Sequence, residues 1–189
     1  MKKTILLLFF YLLASVSMAQ RVAHDHDIQG YRYIDTYNTR VLTPKGSSFP
    51  ISISLDYYQG FSNPFYIRLY SRYKLSETDE LLITFSDGNE MHLFASTNNI
   101  MNSRLGILIK EVTIYDALYP LDEQQLNAVL SSPIISVKIG SGNNWHCKNY
   151  KSNKIGKWLQ SNYKYICKTL EKSYIMKKII NPKIRGTGH

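Results

Sequence analysis

The 189-residue chain has only two cysteines, six prolines and ten glycines. So few exclude a disulfide-dense mini-scaffold, a collagen-like repeat and a Pro/Gly low-complexity polymer. Beyond residue 20 no apolar run approaches the roughly 20 residues that a membrane-spanning helix needs. The familiar signatures of chemistry are missing as well. There is no Gly-x-Ser-x-Gly elbow, His-Glu-x-x-His helix, Cys-x-x-Cys pair or Walker loop. Gly140-Ser141-Gly142-Asn143-Asn144 lacks the Gly-Lys-Ser/Thr ending and does not lead directly into a helix, so it reads as a turn. These absences weigh against an enzyme without excluding one, because many active sites assemble from residues far apart in sequence. Acid is also scarce: 14 Asp and Glu stand against 23 Lys and Arg, a net charge of +9.

What is present, 44% hydrophobic and 13% aromatic residues, suffices for one ordinary globular domain. The N-terminus carries an address. Lys2 and Lys3 precede an apolar run over 5–16, and Ser17-Met18-Ala19 places small residues at −3 and −1 before Gln20. That is the pattern of a signal peptide cleaved after residue 19. The run is too short for a bilayer anchor, and no cysteine stands at the junction for lipoprotein acylation. The expected product is a secreted or periplasmic bacterial protein. An oxidising compartment permits a disulfide between Cys147 and Cys167, closing a loop of about 20 residues worth roughly 3 kcal/mol. Two separate buried thiols are the alternative.

Residues 20–29 are polar and read as a flexible N-terminus. They include His24-Asp25-His26-Asp27, two imidazoles and two carboxylates of the kind a divalent transition metal accepts. In a strand the two histidines would share a face. No apolar neighbours hold a geometry there, so no functional metal site is expected, and no cofactor elsewhere. From Tyr31 the chain reads as strands. Ile51, Ile53 and Leu55 alternate with Ser52, Ser54 and Asp56, and further strands are expected over 31–37, 65–73, 107–115 and 134–139. Segments 81–85 and 91–94 flank Asp87-Gly88, the strongest hairpin signal in the chain. Asp122 with Gln125 three residues on, and Leu121 with Leu126, mark a capped and stapled helix start that Pro133 soon ends.

Over 152–180 the period is helical. Ile155, Leu159, Tyr163, Ile166, Cys167, Leu170 and Tyr174 fall on one arc, and Lys154, Lys157, Lys164, Lys168 and Lys172 on the opposite one. Gly156 reads as a local weakness. The expected fold is therefore α+β. An antiparallel β-sheet or small β-sandwich of about six strands carries a short helix near 122–131 and a long C-terminal helix near 152–180. One domain spans 30–180, and 181–189 form a basic tail.

The positive charge is uneven. The stretch 148–189 holds 11 of the 23 Lys and Arg and one of the 14 acids, whereas 20–147 hold 10 and 13. The body is slightly acidic, and the tail element carries the excess. Either the long helix lays its apolar arc on the sheet and shows solvent its lysines, or Lys157, Lys164, Lys168 and Lys172 meet an anionic surface. Nucleic acid is disfavoured by compartment and by the absence of a recognition fingerprint. A second candidate surface is the segment 56–66, whose Tyr57, Tyr58, Phe61 and Tyr66 stand beside Gln59 and Asn63. Flat rings with nearby polar groups suit a sugar or peptide ligand, although tyrosines also pack across strands. The functional expectation is a non-enzymatic binding or structural module of the cell envelope, engaging another envelope protein or a glycan. The alternative is a peripheral module binding anionic lipid or glycan through the lysine-rich helix. A hydrolase with an unrecognised site, with His92, His146 and Cys147 as first suspects, is the second alternative.

Overall fold

The computed structural model describes residues 22–28, 31–76, 78–104 and 111–180; the expected leader over 1–19 and basic tail over 181–189 lie outside the described residues. The fold is α+β. Eleven strands are described: β1 (Val22–Ile28), β2 (Tyr31–Thr36), β3 (Thr39–Leu42), β4 (Ile51–Tyr58), β5 (Phe65–Ser71), β6 (Glu80–Phe85), β7 (Glu90–Phe94), β8 (Thr97–Arg104), β9 (Glu111–Leu121), β10 (Ile134–Ser141) and β11 (Asn144–Asn149). The helices are α1 (Glu123–Ser131) and α2 (Lys154–Ile180). Seven strands form one antiparallel sheet in the order β1-β2-β4-β5-β9-β8, with β3 following β2 along the same edge of β4. The other four form a second antiparallel sheet, β11-β10-β6-β7.

The alternation of β4 decides the layering. Ile51, Ile53 and Leu55 are fully buried and lie opposite Ser71, Leu69 and Ile67 of β5. One core joins these residues with Tyr119 of β9, Leu81 and Ile83 of β6, Val137 and Ile139 of β10, and Ile155, Leu159 and Ile166 of α2. Apolar faces of both sheets and the helix thus close on one another, a sandwich-like arrangement with α2 lying against β4 and α1. The α1 start follows the sequence signal: Asp122 accepts from the Gln125 N–H at 2.8 Å and the Gln125 side chain accepts from the Asp122 N–H at 2.9 Å. The Asp87-Gly88 turn joins β6 to β7 with Gly88 at φ 86°, the left-handed conformation that glycine permits.

Gly156 proves to be a fitting rather than a weakness. A Cβ there would stand 2.2 Å from Asn153 Oδ1, and that oxygen accepts the Ile134 N–H at 2.9 Å. The glycine admits the side chain that ties the start of α2 to β10. Four strands exceed the sequence reading: β1, β3, β8 and β11. Within the segment expected to be flexible, β1 pairs with β2 from Val22 to Ile28. Three of the four lie at sheet edges, where ladder bonds hold polar residues in strand form and the hydrophobic period fades.

Candidate functional site

The strand period that buries Ile53 and Leu55 turns Ser54, Asp56 and Tyr58 to the opposite, outer face of the seven-stranded sheet. Register brings Tyr66, Arg68 and Tyr70 of β5, Asp116 of β9, Tyr33 and Asp35 of β2, and His24 and His26 of β1 to that same face. At its centre lies Arg68. Its Nε and Nη2 each donate to Asp116 at 2.7 Å, and Nη1 donates to the Tyr33 phenol at 3.1 Å. The same Nη1 lies 3.6 Å from Asp56 and 3.8 Å from Asp35. One guanidinium therefore serves three carboxylates.

Asp56 is 0% exposed. Its Oδ1 accepts the Thr36 N–H at 3.1 Å and the Ser54 hydroxyl at 3.0 Å. Burial pushes its carboxyl up to about 7, against the opposing pull of Arg68 and those two donors. Burial also raises the Tyr58 phenol to about 12 and, with Asp56 adding to it, the Tyr33 phenol further still. For Arg68, burial works against the charge, but the bonds to Asp116 together with the nearby charges of Asp116, Tyr33 and Asp56 outweigh it and hold the guanidinium above its already high range.

Beside this charge network runs a row of rings. His24 and His26 stack at 5.3 Å, His26 lies nearly parallel to Tyr33 at 5.8 Å, and Tyr33 stacks on Tyr58 at 4.4 Å. Tyr58, Phe61 and Tyr66 then meet edge to face at 5.0–6.3 Å. Phe61 remains 61% exposed and Tyr31 64%. Tyr31 lies over the β4–β5 turn, where Gly60 at φ +93° has no Cβ to strike its ring. Of the four aromatics expected to share a site, Tyr58, Phe61 and Tyr66 come together. Tyr57 points to the core side, against Phe65 at 5.4 Å, which in turn meets Tyr163 of α2. Sequence reasoning missed Tyr31, Tyr33, Arg68 and Asp116; the alternation of Tyr31, Tyr33 and Asp35 was a usable signal, whereas Arg68 with Asp116 was not, because 48 residues separate them.

The other expected sites are placed apart. Lys154, Lys157, Lys164, Lys168 and Lys172 are all exposed on α2, and among the described residues none of them forms an ion pair. The expected Cys147–Cys167 disulfide is not formed: both are free thiols. Cys147 lies opposite Lys138 on the solvent side of the four-stranded sheet, its Sγ 3.6 Å from Ser136 Oγ and from Asn149 Oδ1. Cys167 is partly buried on α2, one turn beyond Tyr163, and its hydrogen bond holds that phenol above the usual range. The β10–β11 ladder fixes the first on a face from which the second is not reached. The hydrolase suspects are likewise dispersed. His92 bonds Glu80 beside a shallow cavity of about 410 Å³ that also meets Asp122 and Gln125, whereas His146 bonds the Tyr73 phenol at 2.9 Å. His146 and Cys147 point to opposite faces of β11, as neighbours on a strand must.

Comparison with protein-family models, with curated proteins and with solved structures finds no match.

Proposed function

We propose that the protein is an exported, non-enzymatic binding module that receives a glycan of the cell envelope on the outer face of its seven-stranded sheet. The observation that carries this reading is Phe61, 61% exposed yet held edge to face against both Tyr58 and Tyr66. A large ring kept in solvent costs hydrophobic free energy unless something covers it. Flat apolar rings offer stacking surfaces to the C–H faces of a sugar, and neighbouring carboxylates and amides orient its hydroxyls. The Arg68–Asp116–Asp56 network beneath fixes the floor of this shelf, so little ordering remains to be done on binding. Export is supported by the pattern over 1–19, and an intact mass beginning at Gln20 checks it.

Affinity electrophoresis against peptidoglycan fragments and a panel of soluble polysaccharides tests the ligand class. Retardation by at least one glycan is expected, reduced about tenfold or more in Phe61→Ala and in Tyr66→Phe combined with Phe61→Ala, with an unchanged melting temperature. Failure of every glycan, or binding indifferent to Phe61→Ala, rejects the reading. A second reading rests on the exposed lysine row of α2, which forms no ion pair among the described residues: docking on an anionic surface. It predicts sedimentation with phosphatidylglycerol vesicles that falls as salt rises and is lost in Lys164→Glu with Lys168→Glu.

A further inference from the structure

At the β1 edge of the seven-stranded sheet, three donors from two strands converge. His24 and His26 share one face of β1, and register sets His24 directly opposite Asp35 of β2. One ligand atom from each of these residues lies within 4.8 Å of the others. We propose that His24, His26 and Asp35 form a binding site for a divalent transition metal ion of the zinc class.

The donor set of two imidazoles and one carboxylate is one that such ions prefer. An ion holding ligands at 2.0–2.1 Å in tetrahedral geometry separates them by about 3.3 Å. With the three ligand atoms within 4.8 Å of one another, no pair has to close by more than about 1.5 Å, and His24 Nδ1 already stands 3.1 Å from Asp35 Oδ2. A second observation is independent of the spacing: while Asp35 Oδ2 faces His24, the other oxygen, Oδ1, is buried and has no hydrogen-bond partner among the described residues. Buried carboxylate oxygens seldom go unsatisfied, and a cation at this place supplies what is missing.

The surroundings are built for the role. Tyr33 lies nearly parallel against His26, fixing its ring plane. Arg68, 3.8 Å from Asp35, opposes a second cation, but its charge is already committed to Asp116 through two bonds of 2.7 Å. The run His24-Asp25-His26-Asp27 does not act as a unit. Asp25 turns to the other face and binds Arg32 at 2.6 and 2.8 Å. The third ligand comes instead from β2, outside the run, and the β1–β2 ladder holds the geometry that the sequence, lacking apolar neighbours there, did not lead one to expect. Three protein ligands leave a position open to water or to a donor on a bound ligand. The exposure of both histidines gives the ion a route in. The site stands whether or not the aromatic shelf binds a glycan.

Titration of the untagged protein with zinc chloride by calorimetry, and with cobalt chloride by visible absorption, tests it. One equivalent of zinc is expected to bind at micromolar affinity or tighter, with cobalt giving the intense bands of low-coordinate geometry. His24→Ala with His26→Ala should abolish that equivalent, and Asp35→Asn should weaken it by about tenfold or more. Asp25→Asn with Asp27→Asn should leave it unchanged. Circular dichroism verifies that each variant is folded. Weakening by Asp25→Asn with Asp27→Asn equal to that by Asp35→Asn, retention of the full equivalent without the two histidines, or no saturable zinc binding would overturn the proposal.

Discussion

The two faces of the seven-stranded sheet are built from the same strands yet are held by different forces. On the inner face Ile51, Ile53, Leu55, Ile67 and Leu69 are stripped of water and need only shape to fit. On the outer face Asp56 is equally buried, but it is a carboxylate, and its place depends on Arg68, Thr36 and Ser54. Burial on the inner face stabilises each side chain by itself. Burial on the outer face is tolerated only as a network, in which losing one partner strands the others. Period-two alternation delivers both outcomes along β4, so what separates them is the partners that register supplies from β2, β5 and β9.

The largest effect that would test this contrast is expected from Arg68→Ala. It strips Asp116 of its two charge-assisted bonds and Asp56 of its nearest positive charge in a largely buried setting, and should cost about 3–5 kcal/mol in urea denaturation. A loss under about 1 kcal/mol would show that the outer face is not held by pairing. Leu55→Ala on the inner face removes a fully buried side chain and should cost about 2–5 kcal/mol. Gly156→Ala would raise intrinsic helix propensity by about 1 kcal/mol, yet the Asn153 side chain occupies the space. A net destabilisation of about 1–3 kcal/mol is expected, and a gain would show that the Asn153–Ile134 tie is dispensable.

Asp56 sharpens the comparison through pH. Its folded pKa is raised from 3.8 to about 7 by burial, so the ionised form is penalised in the fold. That penalty is complete above about pH 7 and gone below the unfolded value. The Asp56 contribution therefore favours folding by about 1 kcal/mol per unit as pH falls from 7 towards 4. The unfolding free energies of the protein and of Asp56→Asn, measured by urea denaturation over that window, should differ in slope by this amount; parallel curves would place Asp56 in an ordinary solvated state. The smallest expected change is in Phe61→Ala, whose exposed ring should alter stability by no more than about 0.5 kcal/mol. Thermal denaturation checks it, and a larger loss would make Phe61 a structural rather than a binding residue.

Much of this fold was legible where neighbours in sequence set the outcome. Ile51, Ile53 and Leu55 announce β4, Asp122 with Gln125 announces α1, and Asp87-Gly88 announces the β6–β7 turn, because side-chain periodicity, capping and turn geometry act over a few residues. The arc of Ile155, Leu159 and Ile166 likewise predicted which side of α2 is buried. The edge strands were not legible. β11 reads Asn-Trp-His-Cys-Lys-Asn with little burial along it, and only the ladder with β10 makes it a strand. The candidate site was half legible. Tyr58, Phe61 and Tyr66 lie close in sequence and close in space, whereas Tyr57, one residue away from Tyr58, faces the core.

The sequence by itself determined a β-rich domain with a capped short helix and a long amphipathic one, an excess of positive charge on that last helix, and an N-terminal segment with the pattern of an export signal. The tertiary structure alone decided that Arg68 meets Asp116 across 48 positions, that Cys147 and Cys167 remain apart, and that Asp35 joins His24 and His26. The division follows from range. Periodicity and capping are properties of a few adjacent residues, while a charge partner or a third metal ligand depends on strand register, which the packing of the whole sheet sets.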